Sequence, residues 1–207
     1  MRIVLASGNK SKISEMNREL RKRFHQMEIV GLDSFPEIGK IPETGDSFEE
    51  NALLKAKTVA YKTDSVSLAD DSGLEVDYLN GRPGVFSARF SGEGASDEEN
   101  NKKLLQLLSE VPWEKRTARF RCVLVAYSPE DTYTLCTGTW EGKIATEPIG
   151  MQGFGYDPLF IDRESGLTAA QMQQEEKNRV SHRGKAVARL MEKFEKFVQD
   201  LAAKYKR

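Results

Sequence analysis

The first twelve residues, MRIVLASGNKSK, indicate the kind of fold that this chain adopts. The apolar run before Ser7 has the composition of a short buried strand, and Gly8 after it favours a tight turn. Beyond the turn, apolar residues recur every three or four positions, as they do on one face of a helix. These residues are Ile13, Met16, Leu20 and Phe24. The chain therefore opens with a strand, a turn and a helix.

Capping motifs mark the start of further helices. Ser47 with Glu50, and Ser96 with Glu99, each have the spacing of a capping box. The first of these helices is predicted to extend to about Tyr61. A last helix is predicted from Ser181, and its helix-spaced apolar residues are Val187, Leu190, Met191, Phe194, Val198 and Leu201.

Strand patterns alternate with these helices. Short apolar strands are predicted at 28–31 and 66–69, and two long strands at 118–127 and 133–144 around a turn at 128–131. Glycine-rich loops are predicted at 35–45, 81–96 and 150–158. Because strands and helices interleave around an antiparallel pair, we expect one α/β domain over residues 1–207, with a mixed central sheet flanked by helices.

Composition excludes several classes of partner. Lys and Arg number 31 against 32 Asp and Glu, so a net charge of -1 offers no general attraction to nucleic acid or anionic lipid. Cys122 and Cys136 lack zinc or redox spacing and are expected to be buried thiols. The N-terminal apolar run is too short for a signal peptide or a membrane span. We therefore expect a soluble, cytoplasmic protein with no nucleic-acid or membrane partner.

The turn after the first predicted strand is a candidate phosphate cradle. Free N–H groups at a helix start favour anions, and Gly8 allows close backbone approach. The residues proposed to contact phosphates are Ser7, Gly8, Asn9, Lys10, Ser11 and Lys12. The spacing of a Walker motif is absent. A surface turn with solvated lysines is an equally good interpretation of this segment alone.

Two adjacent carboxylates, Asp70 and Asp71, follow the strand predicted at 66–69, in an acidic turn that continues with Ser72 and Gly73. Neighbouring strand residues point to opposite faces, so one carboxylate can face a site while the other anchors the turn. Mg²⁺ takes oxygen ligands and bridges to phosphate, which suits such a pair. A purely structural Asx-turn has the same sequence signature.

Aromatic rings and donors occupy two later segments. Phe154 and Tyr156, with glycines around them and Asp157 beside them, form a loop whose rings are expected to be exposed for stacking on a base. Lys177, and His182 with Arg183 in the exposed first turn of the last helix, carry donors suited to phosphate or a purine carbonyl. The alternatives are rings that seal the core and a plain solvated helix start.

The order of these motifs resembles the inosine triphosphate pyrophosphatase family, the Ham1-like non-standard purine nucleoside triphosphate (NTP) pyrophosphatases. The resemblance covers nearly the whole chain. Its further motifs are Glu43-Thr44-Gly45, Phe48-Glu49-Glu50-Asn51-Ala52, Gly81-x-Pro83-Gly84, Ser87-Ala88-Arg89 and Glu176-Lys177. One departure is the loop before Glu43, where many relatives carry a further acid and this chain has Lys40-Ile41-Pro42.

The resemblance implies a homodimer of α/β subunits, each with two lobes and a deep cleft between them. It implies hydrolysis of ITP, dITP and XTP to the monophosphate and pyrophosphate, cleansing the nucleotide pool. By the same resemblance, Asp71 is the catalytic residue, and Glu43 is the nearest substitute for an acidic metal ligand that some members draw from its loop. Our mechanistic hypothesis is that Asp71 holds Mg²⁺, with Glu43 or Asp70 as a second metal ligand. The substrate-contacting residues it implies are Ser7 to Lys12, Ser72, Phe154, Gly155, Tyr156, Asp157, Lys177, His182 and Arg183.

The chemistry implied is attack of water on the α-phosphorus, with Asp71 orienting or deprotonating that water. Donors on His182, on Arg183 or on the backbone of 154–157 would pair with the 6-carbonyl of hypoxanthine and leave adenine poorly matched. Two alternatives stay open from the sequence. One is a pyrophosphatase of another modified nucleoside triphosphate, and the other is a nucleotide-binding module without catalysis.

Overall fold

A computed structural model of the chain describes residues 2–7, 10–23 and 27–204 and contains a six-stranded sheet. The strands are β1 (Arg2–Leu5), β2 (Glu28–Gly31), β3 (Val66–Val76), β4 (Thr117–Tyr127), β5 (Tyr133–Ile144) and β6 (Phe160–Asp162). The α-helices are α1 (Lys10–Arg23), α2 (Phe48–Thr63), α3 (Asp97–Leu107), α4 (Gln174–Val180) and α5 (His182–Lys204). The strand order across the sheet is β2-β1-β3-β4-β5-β6.

The sheet is mixed, as expected from the sequence. β1 is parallel to both β2 and β3, with Ile3 opposite Ile29 and Val66, and the helices α1 and α2 supply the two crossovers. β5 and β6 are antiparallel. The turn between β4 and β5 is closed by the N–H of Ser128 donating to the carbonyl of Thr132. A connection this short joins antiparallel neighbours, which confirms the predicted hairpin.

The expectation of a turn at residues 70–73 is wrong, because these residues continue β3 to Val76. Asp and Gly have low strand propensity in general. Here β1 and β4 flank β3 in the sheet. Tertiary pairing of this kind overrides local propensity. Asp70 and Asp71 therefore lie on a central strand, at 2% and 6% exposure.

The chain divides into two compact units, the first formed by residues 1–71, 123–137 and 186–207, and the second by residues 72–122 and 138–185. In the first unit, α2 buries small and aromatic residues at helical spacing, and β1 is buried from Ile3 onward. The buried residues of α2 are Phe48, Asn51, Ala52, Lys55, Ala56, Val59 and Ala60. A polar pair, Asn51 and Lys55, is thus enclosed with this apolar face.

The second unit has its own apolar core. Its buried residues come from β3, α3, β4, β5, β6 and the loops after Leu79 and Ile144, and include Leu74, Leu104, Phe120, Trp140, Tyr156 and Phe160. Arg116 is buried beside this core at 2% exposure. Its guanidinium donates to the carbonyls of Leu108, Ile144 and Ala145. These bonds join the end of α3 to the end of β5.

The predicted helix starts are confirmed, with one change in detail. Ser96 and Glu99 form the reciprocal capping box of α3. At α2, Ser47 accepts from the N–H of Glu50, but the carboxylate of Glu50 accepts from the N–H of Asp46 instead of Ser47. The reciprocal bond is therefore displaced by one residue.

Other local expectations are met in part. Cys122 and Cys136 are buried and unbridged, as predicted. The segment at 81–96 is not wholly a loop, because Gly84–Arg89 forms a 3-10 helix. The short helix α4 was not predicted. No helix in the described ranges is long and apolar enough to cross a membrane.

Candidate active site

Both carboxylate oxygens of Asp71 accept hydrogen bonds from one face of α2. Nζ of Lys55 lies 3.0 Å from Oδ1, and Nδ2 of Asn51 donates to Oδ2 over 3.2 Å. Asn51 and Lys55 are four residues apart in α2, so they project from the same side of the helix. The buried carboxylate of Asp71 is therefore held in one orientation by two donors.

Lys55 also connects Asp71 to the loop before α2, because its Nζ lies 2.7 Å from Oε1 of Glu43. Burial lowers the pKa of the Lys55 ammonium, but the negative charges of Asp71, Asp70 and Glu43 outweigh burial and raise it above its ordinary value. Lys55 is thus a permanent cation among carboxylates at neutral pH.

Asn51 brings the loop that carries Glu43 close to α2. Its Oδ1 accepts the N–H of Gly45 over 2.8 Å, and its side chain is fully buried. A Cβ at Gly45 would lie 2.7 Å from Cβ of Glu50 and 2.9 Å from Oδ1 of Asn51. A larger residue at position 45 would therefore push this loop away from the helix.

The carboxylates near Lys55 have the donor chemistry that Mg²⁺ prefers. An ionised carboxylate offers about four lone-pair positions, so a carboxylate that accepts bonds from two donors can also coordinate a cation. Mg²⁺ in phosphate-binding sites is commonly held by one or two carboxylates plus waters and phosphate oxygens. Asp71, with Glu43 or Asp70, fits that requirement. Among the residues that the structure describes, no ready-made group of three acidic, histidine or cysteine ligands is found.

In the second unit, Arg183 brings together residues that are distant in sequence. Its Nη2 donates to Oγ of Ser72 over 3.2 Å, and its Cζ lies 5.7 Å from the centre of the Phe154 ring. Nζ of Lys177 lies 5.3 Å from the same ring. Cations at this distance are attracted to an aromatic face. Ser72, Phe154, Lys177 and Arg183 therefore form one cluster, and their contact with substrate stays a prediction.

Asp157 and Lys177 form a buried ion pair within this cluster, with Nζ 2.5 Å from Oδ2. The same Oδ2 accepts the N–H of Phe154 over 2.8 Å. A Cβ at Gly153 would lie 2.0 Å from that oxygen, so this position requires glycine. The pair anchors the backbone that carries Phe154. Direct contact of Asp157 and Lys177 with substrate stays a prediction.

The expectation of an exposed ring is wrong for Tyr156, which is 5% exposed and belongs to the core of the second unit. Its hydroxyl donates to the carbonyl of Ser87 over 2.8 Å. Burial, with a smaller effect of the Asp97 charge, raises the pKa of this phenol. Tyr156 thus fastens the loop, and Phe154 is the half-buried ring of the pair.

The expectation that the first turn of α5 is exposed is also wrong. Ser181 caps this helix by accepting the N–H of Gly184, as predicted, but His182 and Arg183 are 8% and 6% exposed. The imidazole of His182 stacks on Phe120 with ring centres 4.8 Å apart and an angle of 13° between planes. Aromatic packing, which the helix pattern does not reveal, encloses this turn.

The predicted phosphate cradle is described in part. Ser7 is half-buried, and its N–H donates to the carbonyl of Leu5. Gly8 and Asn9 lie outside the described residues. Lys10, Ser11 and Lys12 begin α1, as the strand-turn-helix prediction requires, but their side chains are also outside the description. Their phosphate contacts stay predictions.

Sequence reasoning missed the two residues that hold Asp71. Asn51 was quoted as part of a motif without a role, and Lys55 was not singled out. A signal was present, because a lysine four residues after that asparagine lies on the same face of a predicted helix. That this face meets Asp71 follows from the packing of α2 beside β3, where the hydroxyl of Ser67 donates to the carbonyl of Ala56, and helical spacing does not reveal this packing.

These features define the chain as an α/β protein with a buried acidic centre on a central strand and a cation-lined aromatic loop. A family model described as the Ham1 family matches residues 3–193. The chain belongs to the Ham1 family, which confirms the resemblance seen in its motifs.

Individual relatives are similar over nearly their full length. The dITP/XTP pyrophosphatase of Nitratidesulfovibrio vulgaris is 54% identical over 92% of this chain and 94% of that protein. The dITP/XTP pyrophosphatase of Listeria innocua is 46% identical over 98% of this chain and 99% of that protein.

Solved structures agree with the fold. A HAM1 protein from Coxiella burnetii has a TM-score of 0.84 at 43% identity, covering 92% of this chain and 96% of that one. The Staphylococcus aureus Ham1 protein has a TM-score of 0.85 at 39% identity, covering 94% of this chain and 98% of that one.

Proposed function

We propose that this protein hydrolyses non-standard purine nucleoside triphosphates, dITP, ITP and XTP, to the monophosphate and pyrophosphate. The observation that carries the proposal is the buried carboxylate of Asp71, fixed by Lys55 and Asn51. Curated relatives that are 46–54% identical over at least 92% of the chain are named dITP/XTP pyrophosphatases. That likeness supports the choice of substrate and of the bond that is broken.

In the reaction, the oxygen of water bonds to the α-phosphorus while the bond from that phosphorus to the α,β-bridging oxygen breaks. The proton of the water passes to the carboxylate of Asp71, and pyrophosphate leaves with the bridging oxygen. Asn51 and Lys55 orient this carboxylate, and the ammonium of Lys55 offsets negative charge nearby. When bound, Mg²⁺ held by Asp71 with Glu43 or Asp70 supplies charge neutralisation of the phosphates.

We assign the binding of the purine base of the substrate to the cluster around Phe154. Stacking on an aromatic side chain contributes about 1–3 kcal/mol per base and tolerates different bases. Stacking on Phe154 therefore accounts for binding of a nucleobase, whereas hydrogen bonds select which nucleobase is bound.

Arg183 is the donor we favour for the 6-carbonyl. The N–H groups of Phe154, Gly155 and Asp157 already donate to other groups of the second unit. The guanidinium of Arg183 lies beside the Phe154 ring and carries several donors. Buried donors that meet an amino group at the 6-position stay unpaired, which disfavours ATP.

The test is a panel of triphosphates, ITP, dITP, XTP, GTP, ATP and a pyrimidine triphosphate, assayed with and without Mg²⁺. Products are identified as pyrophosphate or inorganic phosphate. We expect pyrophosphate from the first three substrates, dependent on Mg²⁺. Pyrophosphate from the pyrimidine substrate alone would replace the proposal with a different pyrophosphatase, and binding without any product would make the protein a nucleotide-binding module.

The two-lobed single domain, the homodimer and the cytoplasmic location stay predictions. Sedimentation equilibrium of the purified chain tests the homodimer directly, since a mass near 23.3 kDa would contradict it.

A further inference from the structure

Helix α3 holds both backbone polar groups of Gly155, the residue that follows Phe154. Oδ2 of Asp97 accepts the N–H of Gly155 over 2.6 Å, and Nδ2 of Asn101 donates to its carbonyl oxygen over 3.0 Å. Asp97 and Asn101 are four residues apart, so both project from the same face of α3. One helix face thus binds two successive peptide units, one on each side of the Gly155 α-carbon.

Gly155 is a position at which the loop needs such support. Its φ is +62°, in the left-handed region, and a Cβ there would meet no atom within 4 Å. Glycine populates many backbone conformations, so it loses more conformational freedom on ordering than other residues do. Neighbouring side chains do not restrict this residue, and hydrogen bonds are left to select its conformation.

Packing around the loop is open on the side of α3. A groove of about 660 Å³ lies there, and Asp97, Asn101, Phe154 and Gly155 are among its lining residues. On this side the two bonds from α3 hold Gly155, and they act together with the turn in which the N–H of Asp157 donates to the carbonyl of Phe154 over 3.3 Å. A hydrogen bond to a carboxylate is stronger than one between neutral groups.

The other hydrogen bonds that hold this loop are made by Phe154 itself and by Tyr156. Asp157 accepts the N–H of Phe154 itself, and the hydroxyl of Tyr156 is tied to Ser87. Without the bonds from α3, the turn bond from Asp157 to Phe154 would remain, but the N–H and the carbonyl of Gly155 would lose these partners. The direction in which the Phe154 ring points depends on the conformation at Gly155.

We propose that Asp97 and Asn101 are positioning residues for the base-stacking loop, which they hold in the conformation that presents Phe154 to the purine. This inference rests on the proposed function. The capping motif of α3 explains Ser96 and Glu99, whereas the bonds to Gly155 give this face of the helix a second role.

The experiment compares Asp97→Ala, Asp97→Asn and Asn101→Ala with the matched control Glu98→Ala. Asp97 and Glu98 are both acids in the first turn of α3, so each alanine removes the same interaction with the helix dipole. Glu98 is not a partner of Gly155. Steady-state kinetics with ITP, thermal unfolding, and hydrogen exchange of the peptide containing residues 150–158 are measured for each variant.

For Asp97→Ala and Asn101→Ala we expect KM for ITP to rise about tenfold while kcat changes less than about threefold, because about one charged or buried hydrogen bond is lost. Exchange at residues 150–158 should rise, whereas Glu98→Ala should match the wild type in both readouts. Asp97→Asn keeps an oxygen acceptor and should restore KM to within about threefold of the wild-type value.

The inference is overturned if Asp97→Ala and Asn101→Ala give the same KM as Glu98→Ala, or if they lower kcat and thermal stability with KM unchanged. Hydrogen exchange does not depend on the substrate. Inactive wild-type protein with a loop that loosens in Asp97→Ala would contradict the proposed function alone, whereas unchanged exchange would contradict the positioning role alone.

Discussion

The ammonium of Lys55 lies 3.0 Å from the carboxylate of Asp71, and both side chains are at most 10% exposed. A buried charge pair of this kind is costly to break, because the remaining partner loses its compensation. Asn51 occupies the second oxygen of Asp71. The carboxylate of Asp71 is therefore already oriented in the folded protein before substrate binds.

Asp71→Asn should abolish turnover and preserve binding. The amide has the same shape but neither accepts the proton of water nor binds a cation well, so we expect kcat to fall about a thousandfold. ITP hydrolysis is assayed by pyrophosphate release, and binding by calorimetry with the inert variant. Asp70→Asn is the matched comparison and should lose less activity. Turnover of Asp71→Asn near the wild-type rate would remove Asp71 from the catalytic role.

Asn51→Ala tests the positioning of Asp71. The change removes the buried bonds from Asn51 to the Gly45 N–H and to the Asp71 carboxylate, so the free energy of unfolding should fall by about 1–3 kcal/mol. We expect kcat to fall about tenfold. Asn100→Ala is the control, because Asn100 is also buried and bridges Ser91 to Ala88. Urea unfolding should show that Asn51→Ala and Asn100→Ala are destabilised to a similar extent. ITP kinetics should show a reduced kcat for Asn51→Ala alone, and the same kcat for both variants would contradict the prediction.

Arg183→Gln tests whether Arg183 selects ITP over ATP. The variant loses the guanidinium beside Phe154 and its bond to Ser72, so the ratio of kcat/KM for ITP over ATP should fall at least about tenfold. Arg179→Gln, at an exposed position in the last turn of α4, is the charge-matched control and should keep the ratio. A ratio that Arg183→Gln leaves unchanged would place selectivity elsewhere.

Asp162 gives a pH-dependent contribution to stability. Burial raises the pKa of its carboxyl, but hydrogen bonds from Ser165 and Trp140 outweigh burial and hold the pKa below its ordinary value. A group with a lowered folded pKa stabilises the protein above its unfolded pKa, about 4, and this stabilisation is lost as pH falls through the folded pKa.

We therefore expect Asp162→Asn to lower the free energy of unfolding by about 1–2 kcal/mol at pH 7, with the difference from wild type narrowing below about pH 4. Urea unfolding at pH 7 and at pH 3 measures both values. The carboxylate-specific explanation fails if the difference is the same at the two pH values.

Local sequence patterns predicted many elements of the fold. The serine caps of α2, α3 and α5 depend on contacts within three residues, and the β4–β5 hairpin on two strand patterns and a short turn. The partners in such interactions are close together in sequence, so a local sequence pattern reveals them. The site motifs were likewise readable because glycines, carboxylates and aromatics occur in a fixed order along the chain.

Contacts between distant segments could not be predicted in this way. Tyr156 and His182 were expected at the surface, and both are enclosed by rings and strands that lie far away in sequence. Asn51 and Lys55 have an unremarkable helical spacing until β3 brings Asp71 beside them. Periodicity shows that a residue shares a face with others but does not identify what that face meets.

The segment Asp70-Asp71-Ser72-Gly73 shows the division most directly. The sequence by itself determined that a carboxylate pair follows a buried strand, because an apolar run and two acids are local facts. The tertiary structure decided that the pair continues as a strand, since β1 and β4 lie on either side of β3. It also decided that Asp71 is held by α2. Burying a carboxylate costs free energy, and hydrogen-bond donors from elsewhere in the chain compensate that cost.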